Sequence, residues 1–283
     1  MELLQPGDWQ EALEARAAHP GALPLHGGTD VMVDLNFGRE RPEAIIDLTR
    51  VAELDEWEER DGVLRVGAGV TYTRAIAELG DRLPGLAGAS RTVGSPQIRN
   101  RGTIGGNLGS SSPAGDALPP LYASDATVEL ASTRGSRTVP IAEFITGPKR
   151  NVMAEDELIA AFHVAPASGP QQFAKVGTRN AMVIAVCSFS LALHPEQRRV
   201  GTCIGSAAPT PLRANDAEAF AGEALDWDGC TPADEATLSR FGELVAQAAS
   251  PIDDVRGSAA YRRHALSVLA RRTLAWAWSE QCA

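Results

Sequence analysis

The sequence predicts an α+β protein in two parts, and three observations support this. Up to about residue 165, short apolar runs bounded by glycine or proline alternate with segments of helical periodicity. The stretch 165–170, Ala-Pro-Ala-Ser-Gly-Pro, has the composition of a linker. Beyond it, three successive strand patterns precede two long helical patterns. We therefore expect one domain over residues 1–168 and a second, smaller one over 169–283.

The elements of the first part follow from local signals. Residues 8–18 have helical periodicity, and Thr71 can cap a helix over 72–79. Residues 62–68 alternate between glycines as a strand does, and a turn at 133–135 predicts a hairpin. Further predicted elements are strands over 23–25, 44–48, 126–131, 136–139 and 158–164 and helices over 31–37 and 83–90.

The second part has a simpler pattern. Strands are predicted over 172–176, 184–193 and 200–207, as an antiparallel set of three. Helices are predicted over 231–249 and 258–280.

Composition excludes several classes of function. The chain carries 26 basic against 36 acidic residues, a net charge of −10, which disfavours nucleic-acid binding. No apolar stretch approaches the roughly 18 residues of a membrane span, and the N-terminus lacks the basic and apolar regions of a signal peptide, so we expect a cytoplasmic protein. The four cysteines form no C-x-x-C pair, and the five histidines show no metal-ligand spacing, so we expect free thiols and no metal in this chain.

Two glycine segments are the strongest functional signal. The first glycine loop, residues 26–30, is His-Gly-Gly-Thr-Asp between a predicted strand and a predicted helix. The second glycine segment, residues 102–107, is Gly-Thr-Ile-Gly-Gly-Asn. Glycine lets the main chain approach a ligand closely, and consecutive N–H groups form anion-binding nests. The two segments together predict a nucleotide site that binds a diphosphate.

Longer motifs around these segments resemble the FAD-binding medium subunit of the molybdenum hydroxylases, the xanthine dehydrogenase and carbon monoxide dehydrogenase family. The motifs are residues 27–30, 97–108, 112–116, 119–121, 144–148, 208–211, 254–258 and 261–263. The resemblance runs nearly end to end. It implies a two-part FAD-binding domain of the vanillyl-alcohol-oxidase type, divided near residue 55, followed by a small C-terminal domain with a three-stranded antiparallel sheet and helices.

The resemblance also implies cofactor contacts. Residues around the first loop would wrap the diphosphate and ribityl chain, and those of the second segment would complete the cradle. Asp116 would accept from a sugar hydroxyl, because a carboxylate accepts but does not donate. Val93 and Ile159 would lie near the flavin ring, and the Lys175 cation would favour negative charge there. The implied set is Pro24, Leu25, His26, Gly27, Gly28, Thr29, Asp30, Val31, Val93, Thr103, Ile104, Gly105, Gly106, Asn107, Asp116, Ile159 and Lys175.

The implied activity is that of an electron outlet without a catalytic acid, base or nucleophile of its own. A large molybdopterin-binding subunit and a small [2Fe–2S] subunit would complete a heterotrimer, which would pair into a dimer of heterotrimers. Non-covalent FAD here would pass electrons to NAD, quinone or another acceptor. A stand-alone FAD-dependent reductase of the same fold and a non-catalytic structural subunit are the alternatives.

Overall fold

The N-terminal fifty residues build a small parallel sheet in the computed structural model, which describes all residues 1–283. The strands of the protein are β1 Glu2–Leu4, β2 Leu23–Leu25, β3 Ala44–Asp47, β4 Trp57–Arg60, β5 Val63–Gly67, β6 Thr127–Ser132, β7 Gly135–Pro140, β8 Ile145–Gly147, β9 Arg150–Asn151, β10 Leu158–Val164, β11 Gln171–Val176, β12 Cys187–His194 and β13 Arg199–Gly205. In the first sheet β3 lies between β1 and β2, and all three run parallel.

Helices cover these sheets. They are α1 Trp9–Ala18, α2 Val31–Asn36, α3 Tyr72–Glu78, α4 Pro84–Arg91, α5 Pro96–Arg99, α6 Ile104–Ser110, α7 Leu118–Ala123, α8 Ile141–Phe144, α9 Asn215–Ala224, α10 Glu235–Ala248 and α11 Ala259–Gln281. None of them combines the length and the apolar character that crossing a membrane requires.

A five-stranded antiparallel sheet in the order β4-β5-β10-β6-β7 forms the centre of the first part. Its middle strand β10 is apolar except at His163 and is buried over almost its whole length, as a central strand should be. Alternation in β5 buries Leu64 and Val66 and leaves Arg65 half-buried, where it pairs with Glu129 of β6 at 2.9 Å. The apolar face joins α1, α3, α4, α6 and α7 in one core.

The C-terminal part has its own sheet and core. Strands β11, β12 and β13 form the predicted three-stranded antiparallel sheet. Helices α9, α10 and α11 pack with it around a second cluster in which Phe189 meets Phe241 edge-on, with ring centroids 6.2 Å apart. The predicted α+β class is confirmed. One helix of this part, α9, was not predicted, and the predicted helix over 231–249 begins at Glu235, where Asp234 caps it.

Candidate functional site

The first glycine loop follows β2 and ends at α2, as the sequence predicted. Gly28 has φ +72°, a left-handed conformation that glycine adopts without strain. The backbone N–H groups of Gly27, Gly28, Thr29 and Asp30 donate to no backbone acceptor in the chain. A run of N–H groups without acceptors is the expected condition of an anion-binding nest.

The second glycine segment has a different conformation from the open nest that we expected. Instead of an open nest, residues from Ile104 onward form helix α6, capped by the Thr103 hydroxyl, which accepts from the Gly106 N–H at 2.8 Å. The Gly105 N–H donates to the Ala68 carbonyl at 3.1 Å. Because a Cβ on Gly105 would overlap Ala68, the glycine serves close packing rather than a free donor array. The nest therefore belongs to the first loop alone.

The two glycine segments lie directly against each other. A Cβ on Gly27 would overlap the Arg101 carbonyl, so only glycine fits there. The Ser110 hydroxyl at the end of α6 donates to the Asp30 carboxylate at 2.6 Å. The structure therefore brings residues 26–30 and 101–110 into one site, although they are far apart in the chain.

A buried ion pair joins the two parts of the protein at this site. Lys175 Nζ of β11 lies 2.6 Å from Asp116 Oδ2, and the two side chains are only 9% and 10% exposed. Lys175 also donates to the Thr92 carbonyl at 2.9 Å. Burial raises the pKa of Asp116, and the Lys175 charge opposes that rise. The other carboxylate oxygen, Oδ1, is buried without a hydrogen-bond partner and is free to accept one.

Asn107 anchors the segment that carries Asp116. Its side-chain oxygen accepts from the Ala117 N–H at 3.1 Å. A Cβ on Gly115 would lie 2.8 Å from the Asn107 amide nitrogen, so the turn before Asp116 is closely packed on it. In this structure Asn107 therefore positions Asp116.

His26 is the first residue of the first glycine loop, and Tyr72 lies against the second glycine segment. His26 Nε2 is buried without a hydrogen-bond partner and is 3.6 Å from Asp55 Oδ1. Burial lowers the pKa of His26, with Asp55 opposing, so the neutral imidazole is favoured. Tyr72 packs under Gly102, and burial raises its pKa, reinforced by Asp116 and then Asp30.

The two apolar residues of the predicted set occupy different places. Val93 is partly buried next to Thr92, whose carbonyl binds Lys175. Ile159 is 8% exposed on β10 and faces α6, where a Cβ on Gly109 would lie 3.6 Å from its Cδ1. Val93 is thus placed near the ion pair and Ile159 beside α6.

Two contributors to the site were missed in the sequence. Ser110 lies between two of the motifs that the sequence indicated, and Tyr72 is only the first residue of a predicted capped helix. A hydroxyl at the end of a glycine-rich motif was a usable signal for Ser110. Nothing local marked Tyr72, because its role depends on Gly102 lying over its ring.

The residues present fit a dinucleotide such as FAD. The first loop offers N–H groups for a diphosphate, and glycines stand where a Cβ would fill the cradle. Asp116 offers a buried carboxylate oxygen that a ligand hydroxyl can satisfy. No group of three or more histidine, cysteine or acidic side chains is arranged to hold a metal.

Comparisons with known families divide the chain in two. Residues 1–167 match the family model described as the FAD binding domain in molybdopterin dehydrogenase. Residues 172–277 match the CO dehydrogenase flavoprotein C-terminal domain.

Curated proteins resemble the chain over most of its length. A xanthine dehydrogenase FAD-binding subunit of Escherichia coli O157:H7 is 33% identical over 274 residues, 93% of this chain and 91% of that protein. The carbon monoxide dehydrogenase medium chain of Hydrogenophaga pseudoflava is 27% identical over 92% of this chain and 90% of its own length.

Solved structures also resemble this chain over nearly its whole length. A chain of carbon monoxide dehydrogenase from Hydrogenophaga pseudoflava superposes with a TM-score of 0.90 at 26% identity, covering 99% of this chain and 98% of that one. A chain of quinoline 2-oxidoreductase from Pseudomonas putida 86 has the same fold, with a TM-score of 0.91 at 23% identity over 100% and 98% of the two chains.

Proposed function

Because this chain belongs to the FAD-binding subunits of the molybdenum hydroxylase family, we propose that it is the electron outlet of a heterotrimeric complex. It is a flavoprotein subunit of an oxidoreductase. In the proposed complex, electrons arrive from a small [2Fe–2S] subunit and leave to an external acceptor such as NAD or a quinone. The observation that carries the proposal is the N–H array of the first glycine loop, which has no backbone acceptors, together with the buried Asp116 oxygen that has no partner.

The first loop would hold the diphosphate. Its N–H groups at residues 27–30 have no competing backbone acceptor, so binding an anion there breaks no hydrogen bond between main-chain groups. The flanking Pro24, Leu25 and Val31 would set the path of the chain around it, and the second segment would form the opposing wall. His26, neutral at its lowered pKa, would pack beside the diphosphate without contributing charge.

Asp116 and Lys175 would act together at the cofactor. Asp116 Oδ1 would accept from a sugar hydroxyl while Oδ2 remains bonded to Lys175. Lys175 would place positive charge near the ring, and Val93 and Ile159 would shield it from water. Bound FAD would supply the redox chemistry that links one-electron to two-electron carriers, and the protein would position and tune it.

Partners would supply the remaining centres. The four cysteines are free and two are buried, and no metal-binding cluster exists in the chain. Molybdenum cofactor and iron–sulfur clusters would therefore reside in a large and a small partner subunit, in a dimer of heterotrimers. We also place the domain boundary between residues 168 and 169, supported by the ranges of the two family matches.

The test is an absorption spectrum of the chain purified with whatever binds it, together with subunit masses and metal analysis. We expect about one FAD per chain, with iron and molybdenum in the co-purifying subunits. Flavin without partner or metal would replace the proposal with a stand-alone reductase. Failure to bind flavin even with added FAD would leave a structural subunit.

A further inference from the structure

Two cysteines of the second domain, Cys230 and Cys282, lie on segments that pack against each other. Cys230 lies between α9 and α10 in a left-handed conformation, with φ +49°. Cys282 is the residue that caps the C-terminal end of α11. The backbone around Cys230 packs on the last turn of α11, where the Trp278 indole donates to the Thr231 carbonyl. The two cysteines therefore lie on adjoining segments although about fifty residues separate them.

The surrounding contacts hold the two backbones together. The Trp278 indole, one helical turn before Cys282, donates to the Thr231 carbonyl at 2.9 Å, directly after Cys230. Trp278 also packs edge-on against Trp227, with ring centroids 5.1 Å apart. The segment that carries Cys230 is therefore fixed on the last turn of α11 by a hydrogen bond and an aromatic contact.

Asp226 shapes the turn on which Cys230 lies. Its carboxylate accepts from the Gly229 N–H at 2.9 Å and from the Thr231 hydroxyl at 3.0 Å. Its backbone carbonyl accepts from the Cys230 N–H at 2.8 Å. The Cys230 thiol is presented by a hydrogen-bonded turn and not by a free loop.

The remaining two cysteines provide a contrast within the same chain. Cys187 and Cys203 are fully buried in the sheet, whereas Cys230 and Cys282 are partly exposed and open to small reagents. Burial raises the pKa of Cys187 to about 12 and the pKa of Cys203 beyond that. Burial, and after it the Cys230 thiol, raises the pKa of Cys282 to about 11, so Cys282 is a protonated thiol at neutral pH.

We propose that Cys230 and Cys282 form a reversible disulfide when the protein meets a low-molecular-weight disulfide oxidant. One cysteine thiolate attacks the oxidant and releases one small thiol, which leaves a mixed disulfide. The second cysteine thiolate then attacks that mixed disulfide at the protein sulfur and releases the second small thiol. The two cysteines lose two electrons and two protons in total, and the oxidant is reduced to two thiols. The new bond closes a loop that contains all of α10 and all of α11.

The bond would tie the C-terminal end to the body of the second domain. A cross-link across a long loop stabilises mainly by restricting the unfolded chain. Oxidation is therefore expected to raise the midpoint of thermal unfolding, and reduction to restore it. In a reducing compartment the two cysteines stay as thiols, so the disulfide forms only under oxidising conditions.

The experiment uses the full chain incubated with oxidised glutathione, blocked with N-ethylmaleimide and digested without reductant. We expect one cross-linked peptide pair joining Cys230 to Cys282, reversed by dithiothreitol, while Cys187 and Cys203 stay alkylatable only after denaturation. In C282S the reaction should stop at a glutathione adduct on Cys230, and C230S should stop at an adduct on Cys282.

Three results would overturn the proposal. They are glutathione adducts on both cysteines of the unmodified chain without an internal cross-link, cross-links between chains only, and no reaction at either cysteine. A thermal midpoint of reduced C282S equal to that of the reduced parent chain would show that the substitution leaves the fold intact. If that variant fails to fold, the cross-linked peptide of the unmodified chain decides alone.

Discussion

Replacing Lys175 by methionine should destabilise the protein severely, because it leaves the buried carboxylate of Asp116 without its cation. The two charged atoms lie 2.6 Å apart, and neither side chain is more than 10% exposed. Methionine keeps the length and apolar stem of lysine but cannot donate to Asp116 or to the Thr92 carbonyl. The substitution therefore removes a charge and leaves its packing nearly unchanged.

The magnitude follows from the separation and the burial. At an effective dielectric constant of about 20, two unit charges at this distance attract by about 6 kcal/mol. Part of that attraction offsets the cost of taking both ions out of water, and removing one partner of a buried pair typically costs about 3–5 kcal/mol. We expect a loss of that size in the free energy of unfolding of Lys175→Met near neutral pH.

The loss should depend on pH in a definite direction. Burial already raises the pKa of Asp116, and without Lys175 that pKa should rise further, since the charge that opposed it is gone. The folded variant then binds a proton more tightly than the unfolded chain, where aspartate titrates near pH ~3.9. The destabilisation should thus be complete above the folded pKa and should shrink as the pH falls through it towards about 3.9.

Urea unfolding of the flavin-free chain at several pH values measures this effect. Asp116→Asn combined with Lys175→Met should recover much of the loss, because no buried charge remains. Arg198→Met is the matched control, since its pair with Asp228 has side chains 60% and 78% exposed and should matter little. The reasoning is refuted if Lys175→Met costs no more than Arg198→Met, or if neither acid nor Asp116→Asn relieves the loss.

Other predictions concern the two glycine segments. Gly27→Ala should abolish flavin retention, because its Cβ would overlap the Arg101 carbonyl. Gly21→Ala, with nothing within 4 Å of the new atom, should bind normally, and the ratio of flavin to protein after gel filtration compares the two. Thr103→Ala should lower the free energy of unfolding by about 1 kcal/mol through loss of the cap on Gly106, whereas Thr103→Ser should retain it. Equal urea midpoints for those two variants would contradict the capping role.

Local signals in the sequence predicted the elements that local physics determines. Thr71 caps α3 as expected, accepting from the Arg74 N–H at 3.3 Å, and the hairpin of β6 and β7 turns where glycine and polar residues indicated. Helix α9 was not predicted because its buried residues, Ala217 and Ala221, are small and give only a weak apolar periodicity. Its N-cap residue, Ala214, offers no side-chain bond either.

Helix α6 was not predicted either, in this case because of its glycines. Glycine has low helix propensity, so residues 104–110 favoured a loop in isolation. Tertiary packing reverses this preference, because only glycine at position 105 lets the helix approach Ala68. The glycines thus correctly indicated a close approach of the backbone at this segment. They did not reveal that the neighbour is Ala68 of the same chain, directly after β5.

The pairing of Lys175 with Asp116 lay beyond local reasoning, and it changes how the site is understood. The two residues are 59 positions apart and belong to different parts of the chain. Four residues before Lys175, the buried Gln171 accepts from the Gly85 N–H at 3.1 Å and donates to the Ser124 hydroxyl at 3.2 Å. Strand β11 therefore packs the second part of the chain onto the first and also carries Lys175, the cation of the proposed cofactor site. A cofactor held by both Asp116 and Lys175 would bind only the docked arrangement and stabilise it by mass action, so we expect cofactor binding and docking of the two parts to strengthen each other.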